Sequence, residues 1–208
     1  MPGTFKGLLE KISSEKTPGP SLSFSLFHML HAIELIAEKT IGRNKLAKNL
    51  NVGEGAIRTI IERLKNAGLI TTSKAGCTLT NKGLKLWKEY KSTLKKVEIE
   101  KSELTLAECN SAILIKNGGH KIKSGVEQRD AAVKVGAKAA TTIIFKEGRL
   151  IIPSVSNNMI KDFPKAANRI VKHLKLEEND AIVIGSGSSL GEAEHGALAA
   201  AWTLLDDC

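Results

Sequence analysis

The stretch Gly42–Leu79, GRNKLAKNLNVGEGAIRTIIERLKNAGLITTSKAGCTL, decides the fold of the first half of this chain. Ile41 precedes Gly42 and stands five positions before Leu46. At that spacing the residue ahead of an N-cap packs on the fourth helical residue, so a helix is predicted from Arg43 to about Leu50. Asn51, Val52 and Gly53 then form a turn. Ile57, Ile60, Ile61 and Leu64 recur at helical spacing, and Gly68 stands where a helix-ending residue with positive φ is wanted. This second helix leaves Glu54, Gly55, Arg58, Thr59, Glu62 and Arg63 on its outer side. Leu69–Thr72 and Cys77–Leu79 read as short strands around the turn Ser73-Lys74-Ala75-Gly76, with Lys74 near its tip.

The succession LAKNLNV, IRTIIERLKNAGLI, TLTNKG resembles the winged-helix transcriptional regulators, over roughly the first half of the chain. The resemblance implies a winged helix-turn-helix whose second helix enters the major groove of double-stranded DNA, with Arg58 and Thr59 as base readers. It implies Arg43, Lys45, Lys48, Glu54, Gly55, Arg58, Thr59, Arg63 and Lys74 as the DNA-binding set. Gly53 and Gly55 depart from the family pattern, in which a serine cap and a bulkier residue are common. A less rigid and less selective start to the recognition helix is therefore expected.

Charge agrees with that placement. The chain of 208 residues carries a net charge of +9, and Thr40–Lys96 alone holds thirteen Lys or Arg against three Glu. The remainder is close to neutral, so a polyanion is expected at one end only, and nucleic acid fits best because phosphate neutralisation supplies most non-specific affinity. The length allows two modest domains. We place an N-terminal arm at 1–20, the winged helix-turn-helix domain at 21–96 and an α/β sensing or dimerisation domain at 97–208.

MPGTFKGLLEKISSEK lacks a continuous apolar core, and no run of about 18 apolar residues could span a bilayer, so a cytoplasmic protein is expected. Cys77, Cys109 and Cys208 are three cysteines without metal-ligand spacing, which fits a reducing compartment. Cys77 reads as a small strand residue rather than a redox switch. Phe5–Ile12 has the pattern of a short amphipathic helix, and Thr17-Pro18-Gly19-Pro20 breaks the chain before a helix over Leu22–Ala37. That helix carries Phe24, Leu26, Phe27, Met29, Leu30, Ile33, Leu35 and Ile36, more apolar surface than one core-facing stripe requires. A homodimer interface or a docking face for the second domain is expected there. His28, His31, Glu34 and Glu38 lie near one face of the same helix, but with no further His or Cys beside them they read as a polar stripe, and no metal or cofactor is expected.

Beyond the hairpin, Thr80 to about Lys96 reads as a connecting helix ending in KSTLKK. From Val97 onward β-branched residues alternate. Val97–Ile99 and Ser111–Lys116 read as strands and Val126–Val135 as a helix. Thr141–Phe145 and Leu150–Pro153 form a hairpin around Lys146–Arg149, Phe163–Leu174 is a helix, Ala181–Gly185 a buried strand and Leu190–Leu205 a helix. The fold class is therefore α+β: a winged helix-turn-helix followed by a two-layer α/β sandwich with helices on one face of a mostly antiparallel sheet.

Gly185, Ser186, Gly187, Ser188 and Ser189 read as a polar loop at a helix N-terminus, a candidate anion-binding site with Lys146 or Arg149 as counter-charges. The alternative is a tight turn whose small residues permit close packing. Leu190 stands where a dinucleotide fingerprint needs glycine, and the chain after Gly191 is too short to supply the later acid and histidine of a hydrolase triad. No catalytic residue is assigned. In whole-chain order the protein is similar to a group of archaeal winged-helix proteins whose C-terminal domain resembles the GAD insert of some tRNA-charging enzymes. That resemblance implies a non-enzymatic DNA-binding transcription regulator with an appended sensing or assembly domain, and the polar loop adds a small anionic metabolite as the ligand expected if that domain is a sensor. The alternative is a metabolite-binding or enzymatic α/β protein that uses its winged helix for protein contacts.

Overall fold

The computed structural model describes residues 4–14, 23–97 and 99–205. The expected chain break at Thr17–Pro20, the domain start at Ser21 and Cys208 lie outside the described residues. The chain separates into two compact units, one reaching Lys91 and the other spanning Ser92–Leu205.

The first unit contains α1 (Phe5–Ser14), α2 (Leu26–Glu38), α3 (Arg43–Leu50) and α4 (Glu54–Asn66), then the antiparallel hairpin β1 (Ile70–Ser73) and β2 (Gly76–Leu79), and α5 (Asn81–Thr93). α3 begins after Gly42 as its capping spacing predicts, and Ile41 and Leu46 are both buried. Asn51 closes α3 in the left-handed region, and Gly68 has φ +71 just past α4. Ile57, Ile60 and Leu64 are fully buried, each contributing about 1.5–3 kcal/mol of apolar transfer free energy. Ile41 also exchanges two backbone hydrogen bonds with Cys77, which ties the entry to α3 onto the hairpin.

The broad apolar face of α2 is used within this unit. Met29, Leu30, Ala32, Ile33 and Ile36 are buried, and α2 meets α1, α3 and β2. The second contact implied by its excess apolar surface is α1, which is built into the unit rather than forming an arm: Phe5, Leu9 and Ile12 are buried. The Phe5 ring meets Tyr90 edge-on at 5.7 Å, and the Phe5 N–H donates to Glu89 Oε1 at 3.0 Å. Burial, with the charge of Glu34, pushes the Tyr90 phenol well above its ordinary value. His28 is part of the helix start, its Nδ1 accepting from the Ser25 N–H at 3.1 Å.

The second unit holds β3 (Leu94–Val97), β4 (Cys109–Ile115), α6 (Val126–Lys134), β5 (Ala139–Lys146), β6 (Arg149–Ile151), α7 (Met159–Asp162), α8 (Pro164–His173), β7 (Ala181–Gly187) and α9 (Leu190–Trp202). Its five strands run β3-β4-β7-β5-β6, all neighbours antiparallel. The expected helix through KSTLKK stops at Thr93. Leu94 is buried opposite Ile115, and pairing with β4 outweighs the local helical pattern. The α+β class holds, with helices against both faces of the sheet rather than one. Ala112, Leu114, Ile182 and Ile184 pack with Ala166, Ala167 and Ile170 of α8 and with Leu174 just past its end. The alternate residues face α9, which lies so close that a Cβ on Gly185 would stand 2.4 Å from the Ala193 carbonyl oxygen.

At the far end of the sheet Asp180 is buried beneath the turns that lead out of β4 and into β7. Its carboxylate accepts from Lys116 Nζ at 2.8 Å, the Asn117 N–H at 3.1 Å and the Glu177 N–H at 2.9 Å.

Candidate nucleic-acid interface

α3, α4 and the hairpin enclose a concave surface with a volume of about 540 Å³. Arg43, Asn44 and Lys45 border it from the start of α3, Arg58 and Ile61 from α4, and Thr72, Ser73 and Gly76 from the strands. No acidic side chain lines it. Arg43, Lys45, Lys48, Arg58 and Lys74 are exposed and make no ion pair among the described residues. The site thus presents a cationic groove with ammonium and guanidinium groups on two sides, the arrangement that phosphates attract.

Each expected residue has a definite position. Arg58 projects from the middle of α4 into the groove, while Glu54 and Gly55 are exposed on its first turn. A Cβ at Gly55 would meet nothing within 4 Å, so this part of the helix start is open surface. Thr59 is half-buried and its Oγ1 donates to the Gly55 carbonyl at 3.1 Å, which leaves the hydroxyl as an acceptor rather than a free donor. Lys74 and Ala75 form the tip of the hairpin, one residue shorter at each end than the four-residue turn expected, since Ser73 pairs with Gly76. Lys48 lies on the last turn of α3, outside the groove lining.

Arg63 is the correction. Helical periodicity placed it on the outer face, but its side chain is buried, with Nη1 donating to the carbonyls of Ile12 at 3.1 Å and Ser13 at 2.8 Å. It closes the C-terminal end of α1, where the last carbonyls of a helix lack partners and the helix dipole favours a cation. The guanidinium also lies 5.5 Å from the Phe24 ring centroid. Lys82 does the same for α4, donating to the Ala67 carbonyl at 2.7 Å. Cys77 is buried beside the groove, and burial pushes its thiol up, which disfavours the reactive thiolate.

The polar loop of the second unit has a different structure from the one expected. β7 continues through Gly185, Ser186 and Gly187, all buried and paired with Ser111, Asn110 and Cys109 of β4. Ser186 Oγ donates to Asn110 Oδ1 at 2.7 Å and accepts from the Leu106 N–H. The Ser188 N–H, one of the amides proposed to hold an anion, donates to Glu192 Oε2 at 2.8 Å, and Ser189 Oγ accepts from the Glu192 N–H at 3.2 Å. The helix N-terminus therefore carries its own carboxylate. Lys146 and Arg149 sit at the other end of β5, seven residues from the Ala139 that faces Ser186, roughly 23 Å at the rise of an extended strand. The Glu192 carboxylate takes the place expected of an anion. Small residues stand at 185–187 because α9 packs against the strand: a Cβ on Gly187 would lie 2.8 Å from the Ala193 nitrogen.

Residues 25–94 match the family described as the CggR N-terminal DNA binding domain, the segment that holds the groove. The second half matches a domain of unknown function. That match, to the family DUF4443, covers residues 106–204. Among solved structures, a hypothetical protein from Pyrococcus horikoshii OT3 is similar over 88% of this chain and 93% of its own, at 26% identity and a TM-score of 0.66. Lactococcus lactis ZitR is similar over 42% of this chain and 67% of its own, at 21% identity and a TM-score of 0.30. No curated protein matches the chain.

Among the described residues no group of three or more His, Cys, Asp or Glu is placed to hold a metal ion. Among them, too, no helix is long and apolar enough to cross a membrane.

Proposed function

We propose that this protein is a DNA-binding transcriptional regulator whose α4 enters the major groove while the β1–β2 wing lies along the backbone. The observation that carries the reading is the acid-free groove bordered by Arg43, Lys45 and Arg58, which falls inside the segment resembling a DNA-binding domain. Arg58 reads a base edge from the middle of α4. Arg43, Lys45, Lys48 and Lys74 meet phosphates, and Thr59 contributes its hydroxyl as an acceptor. The second unit senses a ligand or assembles copies of the chain.

The test is binding of the full chain to selected duplex DNA over a range of salt. A steep fall of log K with log salt is expected, and a flat response would end the reading. Within the same experiment Arg58→Ala is expected to cost about 1–3 kcal/mol on the best site and to relax sequence preference. Lys74→Ala is expected to weaken selected and random DNA equally, as loss of a phosphate contact does. A uniform loss for Arg58→Ala would reassign it to the backbone.

A homodimer belongs to this reading because one recognition helix spans too few base pairs for useful selectivity, and two-fold proteins read two half-sites. Light scattering checks it directly, and a monomer with single half-site footprints would remove it.

A further inference from the structure

The second unit contains a cavity of about 470 Å³ on the α8 face of its sheet, within the size range of small-molecule sites. It is lined by Ala112 and Ile182 of the sheet, by Ala166 and Ile170 of α8 with Leu174 just past its end, and by Ile99. The mouth is polar and mostly cationic. Arg169 is fixed there by Glu100 at 3.0 Å and by the Lys101 carbonyl at 3.3 Å. Lys95 and Lys96 of β3 also line the cavity. Lys95 lies opposite Leu114, on the face that packs with α8, whereas Lys96 lies opposite Ile113 on the other face. Lys95 is exposed and makes no ion pair among the described residues.

We propose that this cavity binds an amphipathic carboxylate, with its hydrocarbon part between α8 and the sheet and its anionic head between Lys95 and Arg169. The apolar lining excludes a highly polar metabolite, since each of its groups would lose water without gaining a partner. Lys95, Lys96 and Arg169 outnumber Glu100 in the lining and favour a negative charge. The planar guanidinium, already held by Glu100, offers its remaining N–H donors to a carboxylate at little further ordering cost. The site deepens the proposed function by naming what the second unit senses. β3 follows Thr93 of α5 without a linker, so the strand that carries Lys95 is continuous with the chain of the first unit.

The probe is decanoate, titrated calorimetrically into the full chain, with decanol as the uncharged counterpart. Saturable binding of decanoate and at least roughly tenfold weaker binding of decanol are expected, the worth of a charge-assisted hydrogen bond. Lys95→Glu is expected to weaken decanoate by a similar factor. Lys134→Glu makes the same charge change on α6, outside the cavity lining, and is expected to leave it within about twofold. Ala112→Phe, which fills the cavity, should abolish binding. The absence of saturable binding, or equal losses for Lys95→Glu and Lys134→Glu, overturns the site. DNA binding is measured on the same preparations. Decanoate binding without DNA binding leaves the cavity assigned and removes the regulator reading. DNA binding without decanoate binding does the reverse.

Discussion

Asp180→Ala is expected to lower the stability of the second unit by about 3 kcal/mol, because one carboxylate serves three donors where two turns meet. Truncating one partner of a buried ion pair costs about 3–5 kcal/mol when the other charge is left stranded. Here Lys116 is one-third exposed and recovers water, which places the expected loss at the lower end. Most of it comes from the N–H groups of Asn117 and Glu177, each left without its acceptor at about 1–3 kcal/mol if water cannot reach it. Asp180→Asn is not a rescue, since one of its two positions becomes a donor facing a donor. For Lys116, burial pulls the ammonium down most strongly, but its hydrogen bond to Asp180 and the charges of Asp180 and Glu177 together outweigh burial and raise it above the ordinary 10.5. A raised lysine contributes stability that is fully present below its ordinary value and lost as pH rises through the folded value. The wild-type chain should therefore lose this contribution in strong alkali, and Asp180→Ala should show a smaller component, since Glu177 remains beside Lys116. Urea unfolding followed through Trp202 in a Trp87→Phe background reports the second unit alone, because the chain has only two tryptophans. A change below about 1 kcal/mol would mean that water replaces the carboxylate.

Legibility in the sequence followed the range of the interactions. α3, α4 and the hairpin could be read because their signals are local: the Ile41–Leu46 spacing, the isoleucine periodicity and Gly68 all act within a few residues. The strand at Leu94–Val97 was not legible, because its partner Ala112–Ile115 lies well downstream and KSTLKK has a good helical pattern by itself. Gly185-Ser186-Gly187 was misread for a related reason. Glycine and serine signal a loop when considered alone, but alternate glycines facing Ala193 and Ala197 are what close approach of a helix to a strand requires. Small residues on both elements are equally compatible with a loop and with close packing when considered without the strand partner, and pairing with β4 decides for packing. The cavity at Lys95 had no local signal at all, since β3, β4, β7 and α8 each contribute only one to three residues to it.

Arg63→Met is expected to lower the thermal stability of the first unit by about 2–4 kcal/mol while leaving DNA affinity unchanged wherever the chain remains folded. Methionine keeps much of the buried stem, so the loss isolates the guanidinium and its bonds to the Ile12 and Ser13 carbonyls. Hydrogen bonds from a charged donor are worth about 1.5–3 kcal/mol, and the unsatisfied carbonyls at the end of α1 add to that cost. α1 should then loosen first, which Trp87 can report because Trp87 stacks on Tyr90 at 5.1 Å and Tyr90 meets Phe5 of α1. Arg58→Ala should show the opposite pattern: stability within about 0.5 kcal/mol, as for an exposed substitution, and a clear loss on DNA. The two arginines sit five residues apart on one helix, so helical periodicity alone left both in the DNA-binding set. Their difference comes from α1, fifty residues upstream of Arg63, which covers one side of α4 and turns a surface cation into a helix cap. If Arg63→Met instead reduces the salt slope of DNA binding by about one, the guanidinium leaves α1 for a phosphate in the complex, and α1 must move to release it.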